Sequence, residues 1–199
     1  MSDNDVLYPA WGTVSSDFWD RTQPPSRVLP AAGVQEAPQS GRPVTADQGA
    51  AEMPKAYRAG ILQVTSAFSS KDPQAIHAAV IEAERLDQAM TAEYGEQDLR
   101  TISVREMRGW LAHLTGQHET AARWYLHTVG LLAALVGSSD ERTRASAKRA
   151  VATWLAIVDE AVLQGMAAPV LAMAMEVEGS GSAIERAVRR RASARERRA

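Results

Sequence analysis

The chain has 199 residues, 45% of them hydrophobic, with a formal net charge of −2 and no cysteine. That is apolar material for one packed domain with room for a tail. The missing thiols exclude disulfides, thiolate metal ligands and cysteine nucleophiles together. No run approaches the roughly 18–20 apolar residues of a membrane span. The opening MSDNDVLYPAWG begins acidic and lacks the charged-then-apolar order of a secretory signal. A cytoplasmic location is therefore expected, with no membrane partner. Arginine outnumbers lysine 19 to 3 in an alanine-rich chain. GC-rich bacterial coding produces that bias, so the arginine count alone carries no function. Its distribution is more telling: residues 1–50 carry net −3, residues 182–199 net +5, and the middle −4. This is an acidic body with a basic tail.

Residues 1–49 hold six of the nine prolines, at positions 9, 24, 25, 30, 38 and 43, and show no apolar period. Such a segment is expected to be a disordered arm. Within it, residues 7–20, LYPAWGTVSSDFWD, carry Tyr8, Trp11, Phe18 and Trp19, four of the chain's eleven aromatics. Two readings stand. The island folds back over an apolar groove of the body, or it docks on another protein through Trp11 and the Phe18–Trp19 pair, since large aromatics anchor interfaces.

From residue 50 to 181 the pattern predicts helices throughout and no sheet. The first runs near 50–69, with Met53, Tyr57, Ile61, Val64 and Phe68 on one stripe. The second starts with Asp72 as N-cap and Pro73 at the first helical position and ends before Gly95. Its core face is Ile76, Val80, Ala83, Leu86 and Met90. A hairpin follows over 104–132, turning at Gly116. Val104, Met107, Leu111 and Leu114 stripe its first helix, and Ala121, Tyr125, Thr128 and Leu132 its second. A fifth helix is predicted from a Ser138–Glu141 capping box to Gly165, striped by Val151, Trp154 or Leu155, Val158 and Val162. A sixth is expected over 168–177. Gly179-Ser180-Gly181 is a break, after which Ser182, boxed with Glu185, opens an arginine-rich helical tail over 182–199. Turns at Lys71, Gly116 and Gly165 align three helix pairs into a weak repeat.

The segment from Gly109 to Leu132 resembles one tetratricopeptide repeat. Gly109 matches the small residue where two helices approach, Gly116 the turn glycine, Ala121 the small contact residue and Tyr125 the aromatic of the second helix. Arg105, Ala112 and Thr128 depart from the bulky aromatic, tyrosine and small apolar residue of that pattern. No proline closes the repeat, and the spacing exceeds its 34-residue period. The resemblance implies an all-α stack of antiparallel helix pairs that binds peptides or scaffolds proteins on a concave face.

Candidate chemistry is thin. The four histidines, His77, His113, His118 and His127, read as surface residues; His118 and His127 are nine apart and face different ways, so no metal site is expected. The HETAAR segment has Ala122 where a zinc-protease motif needs its second histidine. The Gly179–Gly181 stretch lacks both the third glycine and the strand of a dinucleotide fingerprint. No nucleophile, base and oxyanion donor come together, so neither enzyme activity nor a cofactor is expected. Glu82, Glu84, Arg85 and Asp87, like Asp140, Glu141, Arg142 and Arg144, read as solvated faces with local ion pairs. Trp110, Trp124 and Trp154 fall on three successive helices and read as core. Trp124 and Tyr125 are neighbours, so one of them is expected to line a groove.

The leading expectation is a non-enzymatic adaptor that binds a protein or peptide in a groove made by the first helices of the pairs. Arg105, Arg108, Trp110 and His113 are expected to line it, joined by Trp124. The tail arginines Arg186, Arg189, Arg190, Arg191, Arg195, Arg197 and Arg198 offer an alternative. They would contact nucleic-acid phosphates in salt-dependent fashion, though no aromatic stands among them to stack on bases. A third reading is a structural subunit, or homo-oligomer, tied together by the aromatic arm.

Overall fold

The computed structural model describes residues 53–193, and every residue described in a regular element is helical. Seven α-helices follow one another: α1 Lys55–Ser66, α2 Pro73–Tyr94, α3 Leu99–Leu114, α4 His118–Val136, α5 Glu141–Leu155, α6 Glu160–Glu178 and α7 Ala183–Ala192, with a 3-10 turn at Ala67–Ser69 after α1. Each packs on its neighbour in sequence. The result is three antiparallel pairs, α1–α2, α3–α4 and α5–α6, stacked in order and followed by α7. The body is a bundle compatible with a helical-repeat fold. The arm residues Tyr8, Trp11, Phe18 and Trp19, and the tail residues Arg195, Arg197 and Arg198, lie outside the described residues.

Local chemistry starts most of the helices. Asp72, Asp98, Asp140 and Asp159 each accept a bond from the backbone N–H two residues on, and Ser182 accepts one from the Glu185 N–H. These side chains satisfy amide groups that have no partner within the helix. The second helix starts and ends as its sequence predicts, with Pro73 at its first position and Gly95 after its last. The hairpin turn also falls where expected: Gly116 has φ +76, a left-handed conformation that a side chain would strain.

Three expectations are corrected. The first helix begins at Lys55, after Pro54, so Met53 is buried ahead of the helix rather than on its stripe. The fifth helix begins at Glu141 with Asp140 as its cap, while the Ser138 hydroxyl turns to the Glu176 carboxylate at 3.2 Å. The largest correction is at Gly165. It is not a turn: α6 passes through both Gly165 and Pro169. The chain reverses instead at residues 156–159. There the Trp154 indole N–H donates to the Leu163 carbonyl at 2.9 Å, tying the end of α5 to the first turn of α6. Val158, expected in the core, is 92% exposed at this turn. The packing explains why α6 persists. Leu163, Met166, Val170, Met173, Ala174 and Val177 recur at helical spacing and are all buried, and burial of such side chains, each about 1.5–3 kcal/mol, outweighs the loss at one proline. The joined helix of 19 residues is, among the described residues, the one long and apolar enough to cross a membrane; its apolar face lies in the protein's own core.

The core falls into two main clusters. One joins α1, α2 and α3 around Ile61, Val64, Leu86, Met90 and Met107. The other joins α4 to α7 around Tyr125, Val129, Trp154, Leu163 and Val170, and reaches Val188 of α7. The first turns of the expected tail therefore pack as part of the body. Gly109 sits where α3 meets α4. A Cβ there would lie 3.2 Å from the Trp124 Cβ and 3.2 Å from the Tyr125 ring, so a side chain would have to push these neighbours aside by a few tenths of an ångström, and glycine eases the approach.

Candidate functional site

Among the described residues, those expected to line a groove are drawn largely into contacts between helices. Arg105 is buried at 3% exposure, inside the seam between α2 and α3. Its Nε donates to the Asp87 carboxylate and its Nη2 to the Thr91 hydroxyl at 3.0 Å. Arg108 donates to the other Asp87 oxygen at 2.7 Å, and its guanidinium lies 4.4 Å from the centre of the Trp124 ring. Asp87 is thus a buried anion held by two arginines of the next helix, not the solvated residue its neighbours suggest. Glu82 and Arg85 do make the expected surface pair, at 2.6 Å.

Trp124 is buried at 5% exposure against Ala112 and Ala121, and Tyr125 is buried completely. The two adjacent aromatics both fit because both pass close to Gly109 of α3, where no side chain intervenes, and Tyr125 also joins the core made with α5. The expectation that one of them lines a groove is corrected. Trp110 is half-buried, edge-on to Phe68 and 5.2 Å from the His113 ring. His113 in turn meets His118 across the Gly116 turn, Nδ1 to Nδ1 at 3.2 Å. Burial, and then the charge of His118, lower the His113 pKa below its ordinary value. Among the described residues no group of three or more side chains is placed to hold a metal ion.

A second buried carboxyl joins the two clusters. Glu106 of α3 is 1% exposed, with Arg149 of α5 at 3.9 Å. Burial drives its carboxyl pKa well above the ordinary value, against the opposing charge of Arg149. The Tyr125 hydroxyl lies close enough to be pushed up by burial and by Glu106. This polar layer packs α3, α4 and α5 together and has no opening to a binding surface that the structure shows.

An open concavity among the described residues lies elsewhere. A groove of about 700 Å³ separates α4 from α6. Two short connections, each reversing the chain, lead from α4 through α5 to α6, so these two helices run in the same direction, both packed on α5. From α4 come Leu126, Val129, Gly130, Ala133 and Ala134; from α6 come Gly165, Met166, Pro169, Ala172 and Met173. Their spacing of three and four puts each set on one face. The room exists because the facing positions are small: Gly130, Ala133, Ala134, Gly165 and Ala172 keep side-chain bulk out of the space between the helices. Its polar lining is Arg123, His127 and Glu176. Arg123 is paired with Glu119 at 2.8 Å, and Glu176 accepts the Ser138 hydroxyl. Pro169 has no N–H to give the Gly165 carbonyl, which leaves that wall of α6 short of one helical bond. This groove lies between the second helices of two successive pairs, whereas the expected one lay between the first helices.

The tail arginines divide. Arg189 pairs with Glu185, and Arg191 with Glu160 of α6 at 2.8 Å, so these two brace α7. Arg186 caps its own helix start by donating to the Gly181 carbonyl, and Arg190 is exposed. Of the described tail arginines, Arg191 fastens α7 to α6 by an ion pair, while Arg186 and Arg189 bond groups at the start of α7 itself. Comparison of the chain with family models, with curated proteins and with solved structures finds no match.

Proposed function

We propose that this protein is a non-enzymatic adaptor built on a tetratricopeptide-like helical domain, and that it binds a peptide segment of another protein in the α4–α6 groove. The observation that carries the reading is the groove itself: an apolar channel between two parallel helices, walled by small residues and large enough for several side chains. Its volume falls within the roughly 300–1,000 Å³ of ordinary ligand sites. Its shape, long and open along two helices, suits an amphipathic helix or extended strand with apolar anchors. Arg123 and His127 would add preference for an acidic residue beside those anchors.

The test is selection of peptides from a display library against the full chain, followed by binding to Gly130→Trp. A Cβ at Gly130 meets nothing within 4 Å, so a side chain has room to start there, and the substitution is designed to set an indole across the groove. Selected peptides that lose at least tenfold in affinity for Gly130→Trp support the reading. Peptides indifferent to it contradict the reading.

A further inference from the structure

We propose that the α4–α6 groove is filled, until a partner displaces it, by the chain's own residues 7–20, with Trp11, Phe18 and Trp19 seated in it. This rests on the reading of the groove as a peptide-docking surface and adds its regulation.

Three observations converge. The arm's aromatics are confined to residues 7–20; residues 21–52 contain none. The seven aromatics of the described body all sit elsewhere, so the groove offers Leu126, Met166, Pro169 and Met173 but no ring of its own. Methionine faces are adaptable and favour contact with aromatic rings. Finally, the reach is ample. Residues 21–52 span roughly 100 Å when extended and about 30 Å as a flexible coil, against about 30 Å for a helix of some twenty residues.

The tether makes even weak contact effective. A short linker holds a segment at an effective concentration of order 1 mM. A segment with a Kd of some tens of micromolar would then lower the apparent affinity of any competing peptide by about 10–100-fold. The arm would act as a built-in competitor, so that only a partner with better anchors, or one that also captures the arm, opens the groove.

The experiment uses full-length protein labelled at the methionine methyl carbons, in the natural sequence and in the triple variant Trp11→Ala, Phe18→Ala, Trp19→Ala. Met166 and Met173 report on the groove; Met90 and Met107 lie in the α1–α3 core. The proposal predicts that the triple variant moves the Met166 and Met173 resonances and leaves Met90 and Met107 in place. A synthetic peptide of residues 7–20 should return them, and should bind the variant at least tenfold more tightly than the natural chain. Two results overturn the proposal. Met166 and Met173 unmoved by the triple variant would place the arm elsewhere. A shift that disappears on dilution, together with a dimer in light scattering, would place the arm in a second copy. If library-selected peptides still move Met166 and Met173 when the arm does not, this proposal fails while the docking groove stands. Indifference of those peptides to Gly130→Trp is what removes the groove reading itself.

Discussion

The two halves of the body close their helix interfaces by opposite means. Between α2 and α3 the seam is polar and full: Asp87 takes Arg105 and Arg108 from the next helix, Thr91 joins them, and Trp124 covers the outer guanidinium. Between α4 and α6 the facing residues are small and apolar, and the seam stays open. Charge pairing specifies a closed interface, because a buried ion tolerates only a partner with the right geometry. Small apolar residues specify an opening and leave its occupant to be supplied. Binding substitutions and stability substitutions should therefore separate along the chain, the first on α4 and α6 and the second on α2 and α3.

The largest effect expected is at the closed seam. Asp87→Ala leaves Arg105 buried without its anion and should cost about 3–5 kcal/mol in urea unfolding. Ala172→Ser, exposed in the groove wall, should stay within about 0.5 kcal/mol while weakening selected peptides. Equal costs at the two sites would dissolve the contrast between the halves.

Next is the join between them. Gly109→Val drives a branched side chain against Trp124 and Tyr125 and should cost about 1–3 kcal/mol, read from the same unfolding curves. Glu106, also at the join, gives a pH signature. Its folded pKa is raised above the ordinary value of 4.5, so the folded state holds a proton that the unfolded state releases. Its unfavourable contribution is absent below about pH 4.5 and grows as pH rises toward the folded pKa, by at most about 1.4 kcal/mol per pH unit. Glu106→Gln removes this loss. Denaturant midpoints of the natural chain should fall below those of the variant progressively as pH rises; parallel profiles would contradict the buried, proton-binding carboxyl.

The smallest contrast separates two glycines that look alike in sequence. Gly116 holds a positive φ, so Gly116→Ala should destabilise by about 1 kcal/mol. Gly165 lies within α6 and has open space where a Cβ would be, so Gly165→Ala should stabilise by about 0.5–1 kcal/mol. The sign at Gly165, measured by thermal unfolding, distinguishes a helix from a turn there.

These glycines also show what the sequence could reveal. Features set by near neighbours were legible: Asp72 and Pro73 open α2, Gly116 turns the hairpin, Ser182 caps α7, and Gly109 permits close approach. Features set by distant packing were not. Gly165 and Pro169 carry local breaking signals, but six buried side chains on one face keep α6 whole. Val158 fits the apolar period of α5 and yet stands in the turn. Arg105 and Asp87 are 18 residues apart on different helices, a spacing that no rule for one helix reveals, so Asp87 reads as solvated and Arg105 as groove-lining. The groove had no signal of its own. Gly130, Ala133 and Ala134 read as ordinary small helix residues, and only the approach of α6 turns them into a wall.

The most direct test of the account is hydrogen–deuterium exchange across the full chain, with and without a library-selected peptide. The account predicts new protection in α4 over 126–134 and in α6 over 165–173, with α2 and α3 unchanged around Asp87 and Arg105. Protection centred on α2 and α3, with α4 and α6 unaffected, would contradict it.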